Sequence, residues 1–148
     1  MKTLDHPNIL KYYEYYEDKS NIYLVMEYCS GGELFEKILK NPENVFGESE
    51  ACDVMDKLFH AIAHCHANGI AHRDIKPENI MIGKDKEIKL IDFGLSAIGN
   101  DRLKHFHSIA GTAFYMAPEI IKGEYSYPAD LWALGVLMYL LLSGYLPF

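Results

Sequence analysis

The strongest constraint on this chain is a pair of segments that share one predicted hairpin. The first is His72-Arg73-Asp74-Ile75-Lys76-Pro77-Glu78-Asn79; the second, Asp92-Phe93-Gly94, begins thirteen residues after Asn79. Residues 79–82 and 88–91 have strand character and flank the charged turn Gly83-Lys84-Asp85-Lys86-Glu87. A hairpin brings its two ends together, so Asp74, Lys76, Asn79 and Asp92 fall on loops at one end of it. Two carboxylates, an amide and an ammonium then meet at one point. Phosphoryl transfer needs such a set: a group that orients and deprotonates a hydroxyl, oxygen ligands for magnesium, and a cation for the moving charge.

The remaining pattern predicts an α+β architecture. Residues 9–16 and 22–28 are β-branched and aromatic runs around the turn Asp18-Lys19-Ser20-Asn21, a hairpin whose tyrosines are expected to pack in a sheet. After Cys29-Ser30-Gly31-Gly32, a short helix carries Leu34, Phe35, Ile38 and Leu39 on one face and ends at Asn41-Pro42. A longer helix begins at Gly47, an N-cap with Glu50 three residues on, and stops at Asn68-Gly69. A polar loop over 95–112 and a buried helix over 129–142 complete the reading, with Gly144 and Pro147 beyond.

Composition narrows the function classes. Hydrophobic residues make up 49% and charged residues 24% of the 148, the balance of a folded globular chain. The net charge of -7 argues against non-specific nucleic-acid binding. Cys29, Cys52 and Cys65 form no C-x-x-C pair, and the first residues lack a signal peptide's apolar core, so an intracellular, cytoplasmic setting is expected. The longest apolar run, 131–142, is shorter than the ~18 residues of a membrane span.

His72-Arg73-Asp74 with Asn79, then Asp92-Phe93-Gly94, then Ala117-Pro118-Glu119 form, in this order, the signature set of protein kinases. The chain therefore resembles a eukaryotic serine/threonine protein kinase. The resemblance implies a protein-kinase-like fold, with residues 1–28 belonging to the N-lobe sheet and the start of the hinge and 29–148 to the C-lobe. It makes Asp74 the catalytic base, Lys76 the cation at the transferring phosphate, with Thr112 in the same catalytic group, and Asn79 and Asp92 the magnesium ligands. His72 and Phe93 would stack with Tyr12 in a spine joining the lobes, Asp130 would hold the catalytic-loop backbone, and Glu119 would pair with an arginine further along. The cofactors implied are ATP and magnesium.

Leu24-Val25-Met26-Glu27-Tyr28-Cys29-Ser30-Gly31-Gly32-Glu33-Leu34 resembles the family's hinge. It implies Met26 as gatekeeper, the Glu27 and Cys29 backbones pairing with adenine, Glu33 at the ribose and Met81 as the floor. Lys76 and Gly111-Thr112 point to serine or threonine as acceptor, and Glu33 and Glu78 to basic residues in the protein substrate. Gly31-Gly32-Glu33-Leu34-Phe35 and Ser143-Gly144-Tyr145-Leu146-Pro147-Phe148 are similar to the calcium/calmodulin-regulated and calcium-dependent kinases, which implies a calcium-sensor domain or calmodulin as partner of the complete protein; no EF-hand loop occurs in the chain. Ser108 stands where an activating phosphate would pair with Arg73, with Arg102 and Lys104 nearby. His60 and His64, at i and i+4 with His66 close by, offer a zinc pair but lack the glutamate of H-E-x-x-H.

The family pattern also includes a glycine-rich phosphate loop, a strand lysine and a helix glutamate, none of which occurs in these residues. The resemblance thus implies a partial catalytic domain, with the first N-lobe strands and last C-lobe helices absent. Missing electrostatic stabilisers cost about 10²–10³ in rate apiece, so the isolated chain is expected to be inactive. The alternative is a short pseudokinase acting as an interaction module.

Overall fold

A computed structural model describes residues 4–99 and 105–148. Strands β1 (Tyr12–Glu17) and β2 (Ile22–Met26) form an antiparallel ribbon. Asp18 shapes its turn: Oδ1 accepts the Ser20 and Asn21 N–H groups at 2.7 and 2.8 Å. Helix α1 (Leu34–Lys40) follows, then α2 (Glu48–Ala67). Two further antiparallel pairs are β3 (Ile70–Ala71) with β6 (Ala97–Ile98), and β4 (Ile80–Ile82) with β5 (Ile88–Leu90). The short helix α3 (Pro118–Ile121) and the longer α4 (Pro128–Ser143) complete the order.

The main core lies where α2 meets α4 and the β4–β5 hairpin. Leu58, Ile62, Ile80, Leu90, Leu134, Leu137 and Leu141 are almost wholly excluded from water, which supplies most of the folding drive. The segment before β1 is sewn to β5: Leu90 N–H donates to the Asn8 carbonyl at 2.8 Å and Leu10 N–H to the Leu90 carbonyl at 3.0 Å. The hairpin that carries the chemistry is therefore braced on both sides.

Several sequence expectations change. The tyrosines of the first hairpin do not pack: Tyr13, Tyr15, Tyr16 and Tyr23 are more than half exposed, because among the described residues no layer covers the two-stranded ribbon. On α1 only Leu34 and Ile38 are buried, and Phe35 and Leu39 face outward. Gly47 caps α2 without a side chain, and Glu50 turns away to Lys37 Nζ at 2.6 Å. Helix α4 buries one face, while Leu131, Trp132 and Met138 on another remain partly exposed. The polar stretch 95–112 holds strand β6, whose two residues lack any readable period. Among the described residues no helix is long and apolar enough to cross a membrane.

Candidate active site

Everything in the site hangs from Asp130, on the first turn of α4. It is 2% exposed, and its oxygens accept the backbone N–H groups of His72 at 2.9 Å and Arg73 at 2.8 Å and the His66 Nε2–H at 2.8 Å. A carboxylate this deep persists because its hydrogen bonds replace water. His72 continues the chain of contacts. Its Nε2–H donates to the Ile91 carbonyl at 2.9 Å, and Nδ1 accepts the Asp74 N–H at 3.3 Å. One nitrogen donates and the other accepts, so the ring is neutral; burial pushes its pKa below the ordinary histidine value. The ring meets Phe93 edge-on at 4.8 Å. Tyr12, expected in this stack, is half-buried on β1 and makes no ring contact with either, among the described residues.

Three of the four residues singled out from the sequence, Asp74, Lys76 and Asn79, touch one another beside the β4–β5 hairpin. Asp74 Oδ2 lies 2.9 Å from Lys76 Nζ and accepts Asn79 Nδ2–H at 2.9 Å, while Oδ1 accepts the Thr112 hydroxyl at 2.8 Å. Lys76 Nζ also donates to Thr112 Oγ1 at 2.9 Å, closing a ring of contacts with the loop that carries Thr112. Burial alone would push the Asp74 carboxyl up, but hydrogen bonds from Lys76, Thr112 and Asn79 outweigh it and hold the group below the ordinary aspartate value. Asp74 is thus an ionised acceptor already aimed by three donors.

Asp92 sits next along the facing strand, since Ile91 N–H donates to the Asn79 carbonyl at 2.9 Å. Its φ of 57° and that of Arg73, 70°, lie in the left-handed region, where non-glycine residues cost energy. Gly111 is fitted to the same loop: its φ is 118°, and a Cβ there would stand 2.5 Å from the Arg73 carbonyl oxygen. Both Nδ2 bonds of Asn79 go to Asp74, and Asp92 uses Oδ1 for the Gly94 N–H at 3.0 Å. Asn79 Oδ1 and Asp92 Oδ2 have no hydrogen-bond donor among the described residues. Both oxygens could serve as ligands of Mg²⁺, a hard ion that completes its shell with water and phosphate oxygens.

Met26 ends β2, and residues 27–33 run from it to α1. Gly31 N–H donates to the Ile82 carbonyl at 2.8 Å and Ile82 N–H to the Gly32 carbonyl at 2.9 Å, and Glu33 bridges Met81. A Cβ on Gly31 would strike Ile82 at 2.7 Å, so this approach demands glycine. Met26 is exposed, and Cys29 is buried. Burial, then the Glu27 charge, pushes the Cys29 thiol up, leaving it protonated and unreactive. The Glu27 side chain, unremarked in the sequence, pairs with nearly buried Lys89 at 2.9 Å and accepts the Lys11 N–H at 3.2 Å, fixing the hinge from behind.

Glu78 has one carboxylate oxygen, Oε2, buried without a partner. Arg73 reaches the loop that carries Ser108: Nη1 donates to Ser108 Oγ at 2.7 Å, and Nε to the Leu95 carbonyl at 2.6 Å. Arg102 and Lys104 lie outside the described residues. Ala117 is the N-cap of α3 and Glu119 lies in its first turn, half-buried. The histidines of α2 part company: His66 serves Asp130, His60 donates to the Asp56 carbonyl at 2.9 Å, and His64 packs on His6 with rings 5.1 Å apart.

The protein kinase domain model matches residues 1–148, the whole chain. The chain belongs to the protein kinase family. It is 49% identical over its full length to calcium-dependent protein kinase 5 of Plasmodium berghei, covering 26% of that protein. It is 46% identical to calcium-dependent protein kinase 3 of Plasmodium yoelii yoelii, covering 28%, and 41% identical to CBL-interacting protein kinase 11 of Oryza sativa subsp. japonica, covering 30%. The kinase chain thus spans under a third of the length of these relatives.

Proposed function

We propose that the protein transfers the γ-phosphoryl group of ATP to serine or threonine hydroxyls of protein substrates. The observation that supports this most is the ring of contacts among Asp74, Lys76, Asn79 and Thr112. Asp74 orients the substrate hydroxyl and accepts its proton as the oxygen attacks. A depressed carboxylate is a weak base, so its main effect is alignment, with proton acceptance as the bond forms. Lys76 offers its charge to the transferring phosphate, and Thr112 fixes the activation segment beside both. Asn79 and Asp92 would hold Mg²⁺, which would supply neutralisation of the phosphate charge. The Glu27 and Cys29 backbones pair with adenine above Met81, with Met26 as gatekeeper and Glu33 at the ribose.

Glu33 and Glu78, both partly exposed, support a preference for basic residues near the acceptor, because an accessible carboxylate gains from a guanidinium partner. Likeness to calcium-dependent kinases supports intracellular calcium control through a sensor domain or calmodulin. The 148 residues contain no glycine-rich phosphate loop, so alone they are expected to transfer phosphate poorly. The test is transfer of labelled phosphate from Mg-ATP by the full-length protein to matched serine, threonine and tyrosine peptides, each with basic or neutral flanks. Labelling of basic serine and threonine peptides is expected. Labelling of tyrosine alone, or of none, would overturn the reading in favour of a different acceptor or a non-catalytic interaction module.

A further inference from the structure

The stretch from His105 to Ser108 is zipped onto residues 123–125. The Phe106 N–H donates to the Tyr125 carbonyl at 2.6 Å, and the Tyr125 N–H returns a bond to the Phe106 carbonyl at 3.2 Å. His105 Nδ1 lies 2.7 Å from Glu124 Oε1, and His107 Nδ1–H donates to the Gly123 carbonyl at 3.2 Å. Phe106 also packs against the Tyr125 and Tyr127 rings at 5.7 Å each.

One atom joins this zipper to the catalytic loop. Tyr125 Oη accepts Arg73 Nη1–H at 3.0 Å and donates its own proton to the Ser108 carbonyl at 2.7 Å. The Arg73 guanidinium lies over the Phe106 ring at 5.8 Å, and the Arg73 N–H is one of the two that Asp130 holds. Asp74 follows Arg73 directly, so whatever orients Arg73 orients the catalytic carboxylate. A phosphate on Ser108 would take up the same guanidinium donors.

We propose that Tyr125 is a positioning residue whose hydroxyl holds Arg73 and the activation segment together while Ser108 carries no phosphate. It makes a phosphate at Ser108 an alternative to the tyrosine, not a requirement. This rests on the reading of the chain as a kinase with Ser108 at the position of an activating phosphate, yet its test reads order rather than activity. The ring of Tyr125 packs in the second hydrophobic cluster with Phe106, Ile120 and Ala129, so Tyr125→Phe keeps the packing and removes only the hydroxyl.

The experiment is amide hydrogen exchange at Phe106 and Tyr125 in the full-length protein. It compares wild type, Tyr125→Phe, Ser108→Ala, and Tyr125→Phe with phosphoserine installed at 108. Loss of the tyrosine hydroxyl, which makes two hydrogen bonds, should speed exchange at least about five- to tenfold, the usual worth of one of them. Ser108→Ala loses only the exposed bond from Arg73 Nη1 to Ser108 Oγ, so its effect should be clearly smaller than that of Tyr125→Phe, which loses two part-buried bonds. Phosphoserine should restore protection to Tyr125→Phe, a rescue that lost packing would not show. Unchanged exchange in Tyr125→Phe, an Ser108→Ala effect as large as that of Tyr125→Phe, or failure of phosphoserine to rescue would overturn the proposal. Loss of kinase activity with these exchange rates intact would instead count against the kinase reading alone.

Discussion

Asp130 Oδ2 accepts the His72 N–H at 2.9 Å across fifty-eight residues of chain, joining the first turn of α4 to the start of the catalytic loop. The same carboxylate takes the Arg73 N–H, so two consecutive amides are aimed at one buried acid. This arrangement sets the left-handed turn at Arg73 and, through it, the direction of Asp74.

Asp130→Ala should destabilise the fold by about 3 kcal/mol, because it leaves two buried amide donors and His66 without their acceptor. Asp130→Asn, which retains one carbonyl oxygen, should lose less. Urea unfolding measures both: the midpoint should fall with the slope unchanged. A midpoint within error of wild type for Asp130→Ala would show that the catalytic loop is held by other contacts.

Lys76 supplies the leading hydrogen bond that keeps Asp74 ionised against burial. The folded-state pKa lies below the unfolded value of 3.8. Asp74 therefore contributes stability above that pH and loses it as pH falls through the folded value. Lys76→Met should raise the folded pKa and move the onset of acid unfolding to higher pH. Carboxyl ¹³C shifts of Asp74 followed by NMR would report the same movement directly. An onset at the wild-type pH or lower would contradict the pairing.

His72 predicts a different dependence. The unfolded ring takes a proton near its ordinary 6.5, whereas burial keeps the folded ring neutral to lower pH. Above 6.5 both states are neutral and nothing is lost. Below it the unfolded state binds the extra proton, and stability falls by up to about 1.4 kcal/mol per pH unit until the folded ring titrates. In His72→Phe this component should vanish, so the difference between wild type and variant should shrink as pH drops from 6.5 to 5. A constant difference would mean that His72 is not held neutral.

The sequence resolved the site better than its surroundings, for physical reasons. Asp74, Lys76, Asn79 and Asp92 were legible because a short hairpin with strong β-formers and a charged turn allows few ways to bring its ends together. The boundaries of α2 followed from Gly69, whose φ of 73° suits a helix end, and Gly144 closes α4 in the same way. The Tyr12 stack was not realised, since the β1–β2 ribbon packs on little else in the described chain. Tyr125 went unnoticed because a lone tyrosine after a glycine and an acid carries no periodic or spacing signal. Its role appears only when residues 73, 108 and 125 are seen together. The Glu27–Lys89 pair likewise joins positions that nothing in the linear order connects.

The most direct measurement of the central claim is single-turnover phosphoryl transfer from Mg-ATP to a basic serine peptide by the full-length protein and its Asp74→Asn variant. Asparagine keeps the size of the side chain but removes the charge and the proton acceptor. The account predicts a folded variant with nearly unchanged nucleotide affinity and a transfer rate lowered by about 10²–10⁴-fold, the usual range for a positioned base. Transfer at the wild-type rate would show that the carboxylate at the centre of this ring of contacts does not serve the reaction.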